Sequence, residues 1–374
     1  MNIIINCSNL KVSGGVQVAD SVCGLLNKYP QHRFIVVLSP YMESTKERIK
    51  DYRNVVCLTY EVPNNFRSII LGKDSYLDSV EERYAADAVL TVFGPSRWRP
   101  KVPHLSGFAF PQLVIPESPF FKQLGMKDKF KYFFKGKMRK WSIEQSAEFF
   151  WTENPYISKR LEVLFGNRAN KKVFTVSNYY NQVFDHPQEW LYKHHLPEYS
   201  GVTCLTVTSP MPHKNLPIMK DIVSELKKTH PGFNVRFVIT ISSNQMSVPD
   251  SMLENFVFLG KVDVAECPTL YEQCDIMFLP TLLECFTATY PEAMRMEKPI
   301  ITTDMEFARG LCKDAACYYS PVDAAEAAEA IYKVATDKEY AARLVKNGKK
   351  QLQAFDNYEQ RAEKLIKILE EIAK

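Results

Sequence analysis

Two glutamates separated by seven residues frame the stretch of this 374-residue chain that is best suited to chemistry. Glu284 and Glu292 bracket a loop of small residues, and Pro291 is placed to open a helix with Glu292 in its first turn. Carboxylates accept hydrogen bonds from hydroxyl groups, and backbone N–H groups at a helix start favour an anion. Taken singly, Glu292 could serve only the helix dipole, and Glu284 could be a solvated loop residue. Together they suit a ligand that combines hydroxyl groups with an anionic group.

A lysine follows the first strand predicted in the second half of the chain. Lys214 lies in the segment SPMPHKNL, residues 209–216, directly after the predicted strand Val202–Val207. At the carboxyl edge of a sheet a lysine supplies positive charge for a departing diphosphate. We expect Lys214 to open a helix there; taken alone, an exposed lysine at a helix start is the simpler interpretation.

Paired glycines, Gly14 and Gly15, follow the first predicted strand and precede a helical pattern. Glycine allows close approach of the backbone to a phosphate or a sugar, although a tight strand-to-helix turn needs the same residues. No GxGxxG pattern follows this strand, which disfavours a dinucleotide site.

The elements that must position these residues alternate between short β-branched runs and amphipathic segments, a pattern typical of parallel sheets covered by helices. The pattern restarts after a polar, aromatic linker at 178–190, so we expect two α/β domains. An amphipathic helix is predicted at Tyr358–Ala373. The predicted strands are Ile3–Cys7, Phe34–Leu38, Val55–Thr59, Ala88–Val92, Leu105–Ala109, Glu148–Thr152, Val173–Val176, Val202–Val207, Val235–Ile241, Phe256–Leu259, Asp275–Leu279, Pro299–Thr302 and Ala316–Tyr319.

Composition and charge limit the possible settings of the chain. Apolar residues make up 46% and charged residues 24%, as in soluble globular proteins. The N-terminus predicts a strand rather than a signal peptide, and no apolar run is long enough for a membrane span. Nine scattered cysteines indicate buried thiols in a reducing, cytoplasmic setting. Residues 1–180 carry 26 Lys/Arg and 16 Asp/Glu, whereas 181–374 carry 21 and 27, so the halves suit different partners.

The strongest positive charge lies at 122–140, where eight Lys/Arg and one Asp are interleaved with aromatic residues. This composition suits an anionic membrane surface, such as the inner face of a membrane. The alternative is a solvated helix that packs its aromatic residues inward. No fold signature of a nucleic-acid-binding protein accompanies the segment, so no nucleic acid is expected as a partner.

Beyond these separate features, one ordered motif resembles the retaining GT-B glycosyltransferases of the family-four type, the glycosyl transferases group 1. Their signature has a Glu-x7-Glu pair after a strand that ends in Pro-Ser/Thr, and then a Glu-Ala-Met helix. The corresponding residues here are Pro280-Thr281, Glu284-Cys285-Phe286, Glu292-Ala293-Met294 and Lys298-Pro299-Ile300.

The resemblance implies a GT-B fold, in which two Rossmann-like, doubly wound α/β domains face each other across a cleft. The first domain, 1–178, would bind the acceptor, and the second, 179–355, the nucleotide sugar. Residues 356–374 would form a helix that crosses back to the first domain. The implied reaction moves a sugar with retention from a UDP- or GDP-linked donor to a glycan or lipid-linked acceptor, in cell-surface polysaccharide or glycolipid synthesis.

The resemblance also implies roles for individual residues. Glu284 would hold hydroxyls of the donor sugar, Glu292 the ribose and Lys214 the diphosphate, with Glu284 and Lys214 as the catalytic pair. The remaining donor-binding residues implied are Gly14, Gly15, His213, Cys285, Phe286 and Thr287. The chain departs from the family at two of these places. Ser209 stands where relatives commonly carry an arginine, so either His213 or a residue of the N-terminal domain compensates, or donor binding is weaker. Thr287 stands where relatives often have glycine.

The acceptor side matches the family less well. Many relatives have a His-Asp pair where this chain reads Ala109-Phe110. His104 falls at the start of its predicted strand, which favours a structural role. Gln112 and Glu117 are the candidate acceptor-side residues. In the mechanism usual for retaining relatives, the departing phosphate takes the acceptor proton.

No metal or other cofactor is expected, because no Asp-x-Asp motif occurs. Lys214 and the helix start near Ala288 offer positive charge instead. Two alternatives remain: a sugar-nucleotide 2-epimerase of the same fold, and a nucleotide-sugar-binding protein without activity. A periplasmic-type binding protein is disfavoured because no signal peptide is predicted.

Overall fold

The computed structural model describes residues 1–11, 14–63, 72–166 and 171–374, so Ser13, which precedes the paired glycines, lies outside the described residues. The chain divides into two compact units. The first unit comprises Met1–Pro116, Gly125–Asn178 and Asp356–Lys374, and the second comprises Glu117–Leu124 and Tyr179–Phe355. The short segment 117–124, predicted within the first domain, therefore groups with the second unit.

The first unit is built on a seven-stranded parallel sheet with the strand order β3-β2-β1-β4-β5-β6-β7. In its register Ile4 of β1 lies opposite Ile35 of β2 and Val89 of β4. The strands are β1 Asn2–Cys7, β2 Arg33–Leu38, β3 Val55–Thr59, β4 Ala88–Thr91, β5 His104–Gly107, β6 Phe149–Thr152 and β7 Lys172–Thr175. The helices of this unit are α1 Gly14–Cys23, α2 Glu43–Ile49, α3 Ser75–Arg83, α4 Pro111–Val114, α6 Met126–Ser146, α7 Pro155–Phe165 and α14 Tyr358–Ile372.

The second unit repeats this plan around a six-stranded parallel sheet with the order β10-β9-β8-β11-β12-β13. The strands are β8 Val202–Thr206, β9 Val235–Ile239, β10 Phe256–Phe258, β11 Ile276–Leu279, β12 Ile300–Thr303 and β13 Ala316–Tyr319. Its helices are α5 Pro119–Gln123, α8 Ile218–Thr229, α9 Cys267–Glu272, α10 Thr289–Arg295, α11 Glu306–Cys312, α12 Ala324–Thr336 and α13 Lys338–Leu352.

The α/β class predicted from the sequence is confirmed, and all thirteen predicted strands are present within two residues of their predicted ends. Parallel strands are covered on both faces, so they appear in a sequence as continuous β-branched runs. β2 shows this well, since every residue after Arg33 is buried. The runs could therefore be recognised without knowledge of the strand order.

The helix α14 completes the core of the first unit, although it lies far along the chain. Leu365, Ile366 and Leu369 pack in the same apolar cluster as residues of β1, β2 and α1. The buried guanidinium of Arg361 donates hydrogen bonds to Asn178 and Ser21 of the same unit. Both apolar packing and a buried polar contact therefore hold α14 in this unit.

The strand order of each sheet reverses beside its first strand. In the second unit β8 lies between β9 and β11, and in the first unit β1 lies between β2 and β4. The loops that leave adjacent strands at such a reversal diverge to opposite faces of the sheet, which opens a crevice at the carboxyl ends. In the second sheet the crevice is bordered by the loops that follow β8 and β11.

Candidate functional site

The two loops at the reversal point of the second sheet carry the lysine and the first glutamate predicted from the sequence. Lys214 lies after β8, and Glu284 lies after β11. The backbone N–H of Leu282 donates to the carbonyl oxygen of His213 at 2.8 Å, which joins the loops directly. Residues seventy positions apart in the sequence therefore lie at one edge of the sheet.

Lys214 and Glu284 form an ion pair at this edge. The Lys214 ammonium donates a hydrogen bond to Glu284 Oε1, and the hydroxyl of Thr281 donates to the same oxygen at 2.8 Å. The two side chains are only 13% and 10% exposed. Because both charges are largely withdrawn from water, each is held in place by the other. A ligand that offered a phosphate to the lysine and hydroxyls to the carboxylate would satisfy both.

The backbone around Lys214 differs from the expectation that this residue opens a helix. Lys214 ends a 3-10 turn, Pro212–Lys214, and α8 begins only at Ile218. Asn215 between them is left-handed, with φ of 52°, a conformation that asparagine tolerates better than most residues. Pro217 disfavours helical geometry at the residue before it, which delays the helix. The lysine is thus held by a turn that the sequence analysis missed.

Asn215 also belongs to the site, and the sequence analysis did not single it out. It is buried, and its side-chain nitrogen has no hydrogen-bond partner within the described part of the chain. Its side-chain oxygen accepts only a long hydrogen bond, 3.5 Å, from Gln123. A buried amide nitrogen without a partner is costly, so Asn215 is a candidate donor to a ligand. Its position directly after Lys214 was the available signal.

His213 is enclosed beside the ion pair. Its ring meets the ring of Phe120 edge to face, with centroids 6.1 Å apart. Burial lowers the pKa of His213 below its ordinary value, so the imidazole is neutral at pH 7. A neutral imidazole lacks the positive charge that an arginine at position 209 would supply.

The segment 117–124 lies against both loops of the site. The Ser118 hydroxyl donates to the carbonyl oxygen of Leu282 at 2.7 Å, while Phe120 contacts His213. Glu117, a predicted acceptor-side residue, begins this segment and is exposed. Gln112, the other candidate, is half-buried in α4 of the first unit. The two candidates thus fall in different units.

The second glutamate is more deeply buried than the first. Glu292 lies in α10, is 5% exposed, and accepts a hydrogen bond from the Tyr271 hydroxyl at 3.2 Å. The same hydroxyl lies 3.3 Å from the carbonyl oxygen of Thr289. Burial raises the pKa of Glu292 to about 7. Tyr271, which the sequence analysis did not assign, therefore orients this carboxyl group.

The helix that carries Glu292 starts earlier than predicted. α10 begins at Thr289, so Pro291 is its third residue rather than its first. The first four N–H groups of a helix have no partner within it, and a proline at the third position therefore costs no helical hydrogen bond. α10 has only seven residues. Its dipole is correspondingly a minor source of positive charge compared with Lys214.

The loop between the glutamates is held by its own side chains. Cys285 is buried, and the Phe286 ring meets that of Phe355 edge to face at 6.1 Å. The hydroxyls of Thr287 and Thr289 lie 2.8 Å apart. The threonine that replaces the family's usual glycine is thus hydrogen-bonded across the start of α10.

The paired glycines lie in the first unit, at the start of α1. A methyl group added at Gly14 would meet no atom within 4 Å, and one at Gly15 would touch Leu10 and Phe93 at an ordinary 3.4 Å. Neither glycine is therefore required by local crowding. Open space over Gly14 leaves its backbone accessible to a ligand.

The structural role expected for His104 is confirmed. The residue is buried at the start of β5, with Nδ1 lying 2.6 Å from the carbonyl oxygen of Ser146 and Nε2 lying 2.8 Å from the Thr91 hydroxyl. Burial lowers the pKa of His104 to about 4. Both ring nitrogens are used inside the unit.

In ranges 1–11, 14–63, 72–166 and 171–374, no three His, Cys, Asp or Glu side chains are grouped so that they could hold a metal ion. Over the same ranges, no helix has the length and apolar character that crossing a bilayer requires.

Replacing Glu292 with glutamine tests the state of this carboxyl group. Because its pKa is raised from an ordinary 4.5 to about 7, the folded state holds a proton that the unfolded state releases between these pH values. The wild type should lose roughly 3 kcal/mol of unfolding free energy between pH 4.5 and 8 through this group, and the glutamine variant should not. Thermal unfolding at pH 5 and 8 gives the comparison. If the difference in Tm between the wild type and the glutamine variant is the same at pH 5 and at pH 8, the raised pKa assigned to Glu292 is contradicted.

Comparison with known proteins agrees with the geometry. Residues 205–351 match the family model described as glycosyl transferases group 1. No curated protein matches the chain. Among solved structures, sucrose-phosphate synthase from Thermosynechococcus elongatus is 14% identical with a TM-score of 0.67, over 99% of this chain and 98% of that one.

Two further solved structures are similar over nearly their whole length. A glycosyltransferase from Rickettsia africae ESF-5 is 14% identical with a TM-score of 0.67, over 100% of this chain and 98% of that one. HepE from Anabaena, in complex with UDP and glucose, is 13% identical with a TM-score of 0.66, over 99% of each chain. At these identities the likeness concerns the fold.

Proposed function

We propose that this GT-B protein is a retaining enzyme that moves a sugar from a nucleoside-diphosphate donor to a glycan or lipid-linked acceptor. The chain belongs to the glycosyl transferases group 1 family through residues 205–351. The observation that carries the proposal is the ion pair of Lys214 and Glu284 at the reversal point of the second sheet. Both residues lie within the matched range. The proposed pathway is polysaccharide or glycolipid synthesis at the cytoplasmic face of a membrane.

In the proposed complex the donor separates the ion pair. Lys214 turns to the diphosphate, where its charge stabilises the negative charge that grows on the leaving group. Glu284, freed from the lysine, accepts hydrogen bonds from hydroxyls of the donor sugar, and Asn215 donates one to the ligand. Glu292 binds the ribose hydroxyls. Exchange of one set of charged contacts for another keeps both buried groups satisfied throughout binding.

The proposed transfer proceeds on one face of the sugar. The bond between the anomeric carbon and the diphosphate oxygen breaks, and the acceptor oxygen bonds to the same carbon from the side that the diphosphate leaves. The acceptor proton passes to the departing phosphate oxygen. The products are a nucleoside diphosphate and a glycoside of unchanged anomeric configuration. No side-chain base is required by this scheme.

The proposed donor is UDP- or GDP-linked. Support for a uridine nucleotide comes from HepE, whose solved complexes contain UDP and UDP-glucose. We propose that no metal ion takes part, because the charge that would otherwise hold the diphosphate is supplied by Lys214. The nine cysteines, buried or half-buried, support a reducing compartment.

The test combines binding and turnover in excess EDTA. UDP-glucose, GDP-mannose and ADP-glucose are screened by thermal shift, since a ligand that binds the native state raises Tm. The bound donor is then supplied with lipid-linked and soluble sugar acceptors, and the product's anomeric configuration is read by NMR. We expect one nucleotide class to raise Tm and to yield a product of retained configuration despite EDTA.

Other outcomes would overturn parts of the proposal. Activity lost in EDTA and restored by magnesium or manganese would contradict metal independence. Inverted product would contradict retention. An epimerised sugar nucleotide formed without acceptor would identify an epimerase, and donor binding with no turnover on any acceptor would identify a binding protein.

A further inference from the structure

The helix α6 presents large apolar side chains to solvent. Residues Met126 to Ser146 form a 21-residue helix of the first unit. Six of its large apolar residues are between 40% and 70% exposed, namely Met126, Phe130, Phe133, Phe134, Met138 and Trp141. The sequence left open whether these aromatic residues pack inward. The structure shows that they do not.

The exposed residues share one side of the helix. At 100° per residue they span an arc of roughly 140°. The opposite side faces the protein: Ile143 is buried, and the Arg139 guanidinium lies over the Phe110 ring, 4.5 Å from its centroid. Gly136 on this side approaches Leu113 of α4. The exposed arc, which we call the outer face of α6, is therefore not the side by which the helix is attached.

Positive charge surrounds the outer face. At 100° per residue, Lys131 and Lys135 lie beyond one edge of the arc and Lys129 lies beyond the other. Lys137 lies within the arc, and its ammonium is 4.5 Å from the centroid of the Phe133 ring. The one acidic residue in 122–140, Asp128, lies away from the centre of the arc. Apolar side chains flanked by long cationic ones suit the boundary between lipid headgroups and acyl chains.

We propose that the outer face of α6 is the surface by which this protein binds anionic phospholipid bilayers. Phenylalanine, tryptophan and methionine side chains enter the apolar boundary, and the lysines contact lipid phosphates. A second copy of the same face would bring two strongly positive surfaces together, which disfavours self-association. The inference adds a location to the proposed transfer. It rests on α6 alone, so it can fail while the donor site stands.

The 374-residue protein is tested by co-sedimentation with vesicles of phosphatidylcholine alone and with 30% phosphatidylglycerol, in low salt and in 0.5 M NaCl. We expect at least a tenfold preference for the anionic vesicles, and a loss of binding in high salt. Phe130→Ser/Phe134→Ser and Lys131→Glu/Lys135→Glu should each reduce binding at least tenfold. These residues are exposed, so Tm should stay unchanged.

The matched control is Lys338→Glu/Lys346→Glu, which makes the same charge change at exposed lysines of the second unit. It should bind vesicles like the wild type, and turnover of the donor with a soluble acceptor should be equal in all variants. Equal recovery with neutral and anionic vesicles would overturn the proposal. Unaltered vesicle binding by the α6 variants would also overturn it. The same holds for a dimer, or for preferential binding of polyuridylate, if the α6 variants abolish that dimer or that binding.

Discussion

Replacing Glu284 with glutamine is expected to lower transfer by roughly 10²–10³-fold while binding of the nucleoside diphosphate is kept or tightened. In the free protein this carboxylate competes with the donor for the Lys214 ammonium. Glutamine preserves the shape of the side chain and the hydrogen bond from Thr281, but it leaves the lysine free for phosphate. The sugar loses a charged acceptor for its hydroxyls, whereas the diphosphate loses only a competitor.

Affinity is measured by isothermal titration calorimetry, once with UDP and once with the donor sugar nucleotide. Activity is measured as the steady-state rate of sugar transfer. Glu254→Gln, at an exposed glutamate of the same unit that pairs with Lys227 at 3.9 Å, serves as the control and should behave like the wild type. Parallel loss of UDP and sugar-nucleotide affinity would contradict the role assigned to Glu284. Full activity in the variant would remove Glu284 from the reaction altogether.

Replacing Lys214 with methionine should lower transfer at least as strongly and should weaken UDP as well as the sugar nucleotide. Methionine keeps the length and apolar stem of lysine without its charge, so the diphosphate loses its main cation. Glu284 then becomes a buried carboxylate without its ionic partner, which should destabilise the second unit by roughly 3 kcal/mol. The expected signature is therefore a lower Tm together with the loss of nucleotide binding.

The double variant with Glu284→Gln separates these two effects. Because the residues contact each other, their effects should not add: the double variant should regain much of the lost Tm while remaining inactive. Lys227→Met, at an exposed lysine of α8, is the control for the loss of one positive charge. Retained UDP affinity in Lys214→Met would contradict the proposed diphosphate contact.

The sequence allowed the sheets to be predicted well because their strands are buried on both faces. The fold class and the family recognition are also confirmed. The Glu284 to Glu292 motif was informative because the strand before it and the helix after it set the length of the loop that it spans. The roles of the individual site residues remain predictions. Contacts between distant segments were harder to foresee, as the Tyr271 hydroxyl on Glu292 shows.

Two local details also escaped prediction. The 3-10 turn before Asn215 depends on a left-handed residue, which periodicity does not reveal. In α6 an apolar stripe predicts one packed side, but the pattern is the same whether that side meets protein or another apolar phase. The contacts of Gly136, Arg139 and Ile143 were needed to identify the attached side.

The placement of α14 separates the order of synthesis from the order of folding. The core of the first unit includes Leu365, Ile366 and Leu369, so it cannot be completed while the ribosome is still translating the second unit. Domains usually fold in the order in which they emerge. Here the second unit is available to fold first, and the nascent first unit must wait with part of its apolar surface uncovered. Until α14 emerges from the ribosome, we expect a chaperone to bind the incomplete first unit, because that unit exposes apolar surface.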